Sequence, residues 1–279
     1  MKEVIIDTIL DTIKLIPFLI LTFYFMELLE HKFSKKSKEI IKKSTKAGPI
    51  YGSILGVIPQ CGFSVAATNL YVTNIITFGT LIAIYLSTSD EMLPIMLSEK
   101  VSLFLIFKVL IIKVVIGIIC GIIIDLIFNK KTHKHDHVHE LCQDCNCGCE
   151  ENIFKSVLKH TINIVVFILL INLIFNTLFY FIGEEKIAKF ILKDSLFDPF
   201  LTSLVGLIPN CASSVIITEL YLKSTISFGA LIAGLLTNSG VAIVVLFKEN
   251  KNIKDNLKII FTMYFIGALV GIILNVLKI

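Results

Sequence analysis

Charge is scarce in these 279 residues: only 17% are Asp, Glu, Lys or Arg, against 55% hydrophobic, and mean hydropathy is +0.85. That is too little polar surface for a soluble domain of this length, so the chain reads as an all-α integral membrane protein. At about 20 apolar residues per spanning helix there is room for at most ~10 to 12 passes, which excludes large soluble domains. The net charge of +4 is modest and gathered in loops, so it is a topology signal and not the footprint of a nucleic-acid partner. Met1–Leu29 lacks a small-residue cleavage site and carries Glu3, Asp7, Asp11 and Lys14, so it reads as a retained first helix. A secreted disulfide framework is also missing: of seven cysteines, Cys61, Cys120 and Cys211 lie in apolar segments and the others crowd one loop. Neither a Walker motif nor a His-Glu-x-x-His pattern occurs, which argues against nucleotide hydrolysis within the chain and against zinc-protease chemistry.

What the sequence does have is a duplication. Gly56-Val57-Ile58-Pro59-Gln60-Cys61-Gly62-Phe63-Ser64-Val65 aligns without a gap on Gly206-Leu207-Ile208-Pro209-Asn210-Cys211-Ala212-Ser213-Ser214-Val215. The match continues through Leu70-Tyr71 and Leu220-Tyr221, Phe78-Gly79 and Phe228-Gly229, and Ser89 and Ser239, with about 17 identities in roughly 36 positions. Gly121 falls on Gly271 and Lys108 on Lys258. The expected organisation is a first membrane repeat over 1–129, a linker over 130–150 and a second repeat over 151–279. Each repeat has a long apolar helix (Ile9–Leu29; Phe154–Phe181) and a Pro-interrupted stretch (Gly48–Val72; Pro199–Leu222). A second interrupted stretch (Ile75–Leu97; Thr225–Phe247) and a final helix (Val101–Phe128; Leu257–Leu277) follow. Proline breaks a membrane helix where the released backbone lines a polar cavity, although one proline alone is often a packing kink.

The lysines predict orientation. Lys32, Lys35, Lys36, Lys38, Lys42, Lys43 and Lys46 face a single acid, Glu39, in the loop after the first helix, which places that loop in the cytoplasm. The matching loop, Gly183–Asp198, holds Glu184, Glu185, Asp194 and Asp198 against Lys186, Lys189 and Lys193, and should face outward. The two repeats then have inverted topology, with re-entrant hairpins entering from opposite sides and both termini outside. The lysines of Lys248–Lys258 fall on the cytoplasmic side of this arrangement.

Opposed hairpins would bring Gln60, Cys61 and Ser64 to Asn210, Cys211 and Ser214 near the midplane, where amide, thiol, hydroxyl and released carbonyl groups suit a cation. The bland alternative is small side chains at a helix crossing and amides capping broken helices. Ser89, Asp90 and Glu91 oppose Ser239, Gly240 and Val241, so only the first repeat has acids there. They are the candidates to compensate a divalent ion, unless Ser87–Glu91 is a solvated turn. Glu219, opposite Asn69, is a further candidate, with a helix-capping or water-facing role as its alternative. Asp7, Asp11 and Lys14 share one helix face as a salt-bridged surface. Lys113 and Asp125 fit an ion or proton path, against simple pairing for the lysine and solvation for the acid.

The linker is a metal-binding tract: His133, His135, His137 and His139, then Cys142, Cys145, Cys147 and Cys149. Imidazole and thiolate on a polar loop suit Zn²⁺-like ions. The paired motifs Gly56–Ser64 and Gly206–Ser214, with Ser89–Glu91 and this linker, closely resemble the bacterial ten-transmembrane heavy-metal exporter family, also labelled manganese transporter or arsenic efflux protein. The resemblance implies metal export across the bacterial cytoplasmic (inner) membrane, with Gln60, Cys61, Asp90, Asn210 and Cys211 at matching motif positions. The expected function is secondary export of a divalent transition metal, Mn²⁺ favoured, by alternating access. The metal is substrate, the bilayer is the surrounding partner, and no resident cofactor or enzymatic activity is expected. Competing readings are arsenite or soft-metal efflux through the cysteines, an intramembrane metalloenzyme, and a metal sensor.

Overall fold

The computed structural model describes residues 47–58, 61–89, 91–128, 153–182 and 197–277, and scattered helical positions between 6 and 24; for 61, 153–157, 159, 160 and 178–182 the backbone alone is described. These residues form helices and no strand. The first repeat contributes α1 (Gly48–Gly56), α2 (Cys61–Val72), α3 (Phe78–Ser87), α4 (Met92–Ser98) and α5 (Leu103–Ile127). After the long α6 (Ile153–Ile182), the second repeat contributes α7 (Asp198–Gly206), α8 (Ala212–Leu222), α9 (Phe228–Thr237), α10 (Ala242–Glu249) and α11 (Ile253–Val276). From α1 against α7 to α5 against α11, order and register follow the sequence duplication.

Local signals explain the boundaries. Pro49 and Pro199 occupy the first turns of α1 and α7, where a missing N–H costs nothing. Thr77 and Ser227 cap α3 and α9 by accepting the amides of Thr80 and Ala230 at 3.1 Å. Pro209 lies in the joint where α7 stops at Gly206 and α8 starts at Ala212. At about 1.5 Å per residue, none of α1 to α4 or α7 to α10 can cross a hydrocarbon core of about 30 Å alone. They are half-helices, and α3 and α9 are each interrupted from α4 and α10 by a short non-helical segment.

Among the described residues, three stretches are long and apolar enough to cross a membrane: Leu103–Ile127, Phe228–Glu249 counted through its central interruption, and Ile253–Val276. On α5, Phe104, Phe107, Ile111, Val115, Ile119 and Ile123 form an exposed apolar stripe, and Phe261, Phe265, Leu269 and Ile273 form one on α11. Stripes at this spacing have lipid as their natural contact. By contrast, every residue from Gly79 to Ser87 and from Gly229 to Thr237 is buried, so α3 and α9 form the centre of the molecule.

Close packing around that centre depends on glycine. A Cβ on Gly121 of α5 would lie 2.8 Å from the Gly79 carbonyl oxygen, and one on Gly271 of α11 would lie 2.6 Å from that of Gly229. The same seam therefore binds α3 to α5 and α9 to α11. Between repeats the contacts are reciprocal: the Lys108 ammonium lies 4.6 Å from the Phe228 ring centre, and that of Lys258 lies 4.6 Å from Phe78. Reciprocity of matched residues is the mark of a pseudo-two-fold axis. Lys258, early in α11, also sits over Phe128 just past α5, while Cys120 and Ile123 line one groove with Phe261 and Phe265. Thus α5 and α11 run antiparallel to each other.

Candidate functional site

The interrupted segments of the two repeats are polar and buried. Ser87, Thr88 and Ser89 are at most 2% exposed, as are Thr237, Asn238 and Ser239. The first segment is therefore no solvated turn at these three positions. Burial of so many hydroxyl and amide groups within a membrane protein is costly unless each has a partner or a ligand. Here the partners come largely from backbone. Thr88 donates to the Ile84 carbonyl at 2.8 Å, and Thr237 to that of Ser203 at 2.9 Å.

Each interrupted segment also touches the joint of a hairpin. Ser89 donates to the Val57 carbonyl at 2.6 Å, tying its segment to the end of α1. Ser64, in the first turns of α2, donates across the repeat boundary to the Ser239 carbonyl at 3.4 Å. A hydroxyl that gives its proton to a carbonyl retains acceptor capacity, so these contacts leave Ser64 and Ser89 chemically able to face a cation. In the second hairpin Ser214 donates to the Cys211 carbonyl at 2.8 Å, and Cys211 is a partly buried thiol immediately before α8. Asn210 uses its oxygen to accept the Ala212 amide at 2.7 Å, a capping role, while its nitrogen donates to Asn176 of α6 at 2.9 Å. Since α2 packs on α10 and α8 on α4, each hairpin lies against the half-helix that follows the other repeat's interruption.

Lys113 joins the first interruption to the last turn of α9. Its side chain, 1% exposed near the middle of α5, donates to the carbonyl of Thr88 in one repeat and, at 2.8 Å, to that of Leu235 in the other. Both carbonyls are at helix C-termini, where the peptide dipoles concentrate negative potential. Asp125 stands at the opposite end of α3, accepting from Thr77 at 2.7 Å and from the Gly79 amide at 2.8 Å. Its counterpart Asn275 accepts from the Gly229 amide at 3.1 Å, so both close a helix N-terminus.

Not every expected residue joins this centre. Glu219 pairs with Lys223 at 3.0 Å, one helical turn on, with a third of its side chain exposed. Gln60, Asp90 and the linker residues His133, His135, His137, His139, Cys142, Cys145, Cys147 and Cys149 lie outside the described residues, as does the side chain of Cys61. Glu91 is described at the start of α4, partly buried. Among the described residues no group of three or more His, Cys, Asp and Glu converges.

A family described as "Putative, 10TM heavy-metal exporter" matches the chain over residues 1–179 and again over 148–278. The chain belongs to this family. No curated protein and no solved structure matches it. Membership makes the protein a membrane-embedded metal exporter by class, and an exporter class is not an enzyme class.

The long helix expected over Phe154–Phe181 is α6, and in this exporter it carries two polar residues that the sequence analysis does not single out, Asn172 and Asn176. Asn176 accepts from Asn210 and donates to Thr8 of the N-terminal helical segment at 2.8 Å, linking three elements in one polar chain. Asn172, one turn away and 4% exposed, has an amide oxygen with no partner among the described residues, as has the hydroxyl of Ser239. The i, i+4 spacing of Asn172 and Asn176 in an apolar helix was the available signal.

Proposed function

We propose that this chain is a secondary transporter that exports a divalent transition metal, with Mn²⁺ favoured, by alternating access between two inverted-topology repeats. The observation that carries this reading is a buried polar interruption in each repeat, the first tied by Lys113 to the last turn of α9 and the second tied by Ser64 to α2 of the other repeat. Discontinuous helices at a repeat interface are where such transporters hold their substrate. The antiparallel course of α5 and α11 supports inversion, because matched helices that cross in opposite directions belong to oppositely inserted repeats. The repeats are 1–129 and 151–279, separated by the linker over 130–150, and the membrane is the bacterial inner membrane.

Carboxylate, hydroxyl, amide and backbone oxygens are the ligand set that Mn²⁺ prefers. In this proposal Ser64, Ser89, Asp90, Glu91, Asn210 and Ser214 supply such oxygens, Gln60 adds an amide, and Cys61 and Cys211 stand beside them. The pairing with Lys223 makes Glu219 a peripheral member of the path. The linker captures or senses softer ions outside the membrane. Gradient-driven flux of Mn²⁺, Zn²⁺, Fe²⁺, Co²⁺ and arsenite into liposomes carrying the purified protein tests the reading. Mn²⁺ should move fastest; metal binding with no flux of any ion would refute transport, and flux of arsenite alone would assign the cysteines as principal ligands.

A further inference from the structure

The ammonium of Lys113 poses a problem that the exporter reading does not solve. An uncompensated charge buried this deeply would neutralise or force its segment toward water, and several kcal/mol typically separate a buried ion from a hydrated one. Here compensation comes in part from two carbonyls of different origin: Thr88 follows the last turn of α3, and Leu235 lies in the last turn of α9. Each brings the negative end of a helix dipole. Two helix C-termini that converge on one positive group, one from each repeat, constitute a cation-binding position. The matched residue in the second repeat, Met263, is buried just as fully, so the pseudo-symmetric molecule carries this ammonium once.

We propose that the carbonyls of Thr88 and Leu235 form a cation position shared by both repeats, and that the Lys113 ammonium is a tethered competitor of the transported divalent ion there. The inference rests on the metal-transport reading and deepens it. Thr88 is one residue from Ser89 and two from Asp90, so an ion held by that segment lies within the field of the ammonium. Like charges a few ångströms apart in a poorly screened interior repel strongly. With the ion bound, the ammonium withdraws from the carbonyls; on its return it weakens the ion's hold and promotes release to the far side. Lys113 thus limits affinity for the sake of turnover.

Steady-state Mn²⁺ flux in liposomes, measured over a range of Mn²⁺ concentrations, separates this role from packing. Lys113→Gln removes the charge and keeps two N–H donors on a side chain one bond shorter. It should lower KM at least about tenfold and lower kcat, because the ion binds more tightly and leaves more slowly. Lys113→Arg retains the charge and should hold KM within about threefold of the parent. A residue that merely packs would leave KM unchanged or raise it when replaced. Should Lys113→Gln fail to fold, Lys113→Met removes the charge with the side chain that the fold already buries at the matched position, Met263; KM at least about tenfold below the parent's supports the proposal, and KM unchanged or raised in the folded protein overturns it. A folded Lys113→Gln protein whose KM is unchanged or raised also overturns the proposal while leaving metal transport intact. Absence of Mn²⁺ flux in the parent itself would instead refute the transport reading, and this inference with it.

Discussion

At the scale of single residues, a carboxylate and a thiol serve different ions. If Mn²⁺ is the substrate, Asp90→Asn removes a compensating charge from a low-dielectric site and should abolish flux, whereas Cys61→Ser substitutes one weak ligand for a harder oxygen and should leave measurable flux. Arsenite as substrate would reverse that order, because thiolate bonding then supplies the affinity. Flux in liposomes, with each variant first shown to be folded and monodisperse, reads the order directly. The residue scale is also where sequence reading was most uneven. Burial of Ser87–Ser89 was legible because the duplication set a polar run against Thr237–Ser239 in otherwise apolar surroundings. The Lys223 partner of Glu219 stood at i, i+4 and could have been read locally. What no local pattern encodes is the approach of Lys113 to Leu235 or of Asn210 to Asn176, since each pair joins elements far apart in the chain.

At the scale of elements, close backbone approach adds to the hydrogen bonds that hold the half-helices together. Small residues allow α5 to approach α3 and α11 to approach α9 at backbone distance. Gly121→Val and Gly271→Val would each drive a side chain into a carbonyl that cannot shift alone. Overpacking of this kind costs about 1–3 kcal/mol, so each variant should melt lower than the parent in detergent, by similar amounts because the contacts match. A parent-like melting temperature for either would contradict the seam. Element boundaries are readable from first-turn prolines and capping hydroxyls, and the expected interruptions of Ile75–Leu97 and Thr225–Phe247 fall where α3 separates from α4 and α9 from α10. The linker belongs to this scale as a separate unit. Replacing His133, His135, His137, His139 and its four cysteines should weaken Zn²⁺ binding at least about tenfold yet leave saturating Mn²⁺ flux within about twofold, as expected of a tract outside the membrane path. Complete loss of flux in a folded variant would place it in the path.

For the whole molecule, the pseudo-two-fold relation and the charge bias of the loops make one prediction about topology. The Lys-rich loop after the first helix should be cytoplasmic and Gly183–Asp198 external. An impermeant thiol reagent applied to intact cells should label a cysteine placed at Glu185 and not one placed at Lys36; the opposite pattern would overturn the arrangement. The matched order of the helices is legible in the duplication, whereas the antiparallel course of α5 and α11 rests on contacts such as that between Lys258 and Phe128, which composition does not reveal.

Under the proposed alternating access, the ion passes where the two repeats meet, and the repeats must move against each other for it to pass. Ser64 of one repeat and Ser239 of the other lie at that seam, hydroxyl to carbonyl at 3.4 Å. In a background with all seven native cysteines changed to serine that itself retains flux, Ser64→Cys and Ser239→Cys can be joined by a short bis-methanethiosulfonate reagent, which forms a reducible disulfide with each thiolate as methanesulfinate leaves. Mn²⁺ flux in liposomes should stop on bridging and return on reduction. Flux that continues unchanged through fully bridged protein would contradict alternating access at this seam.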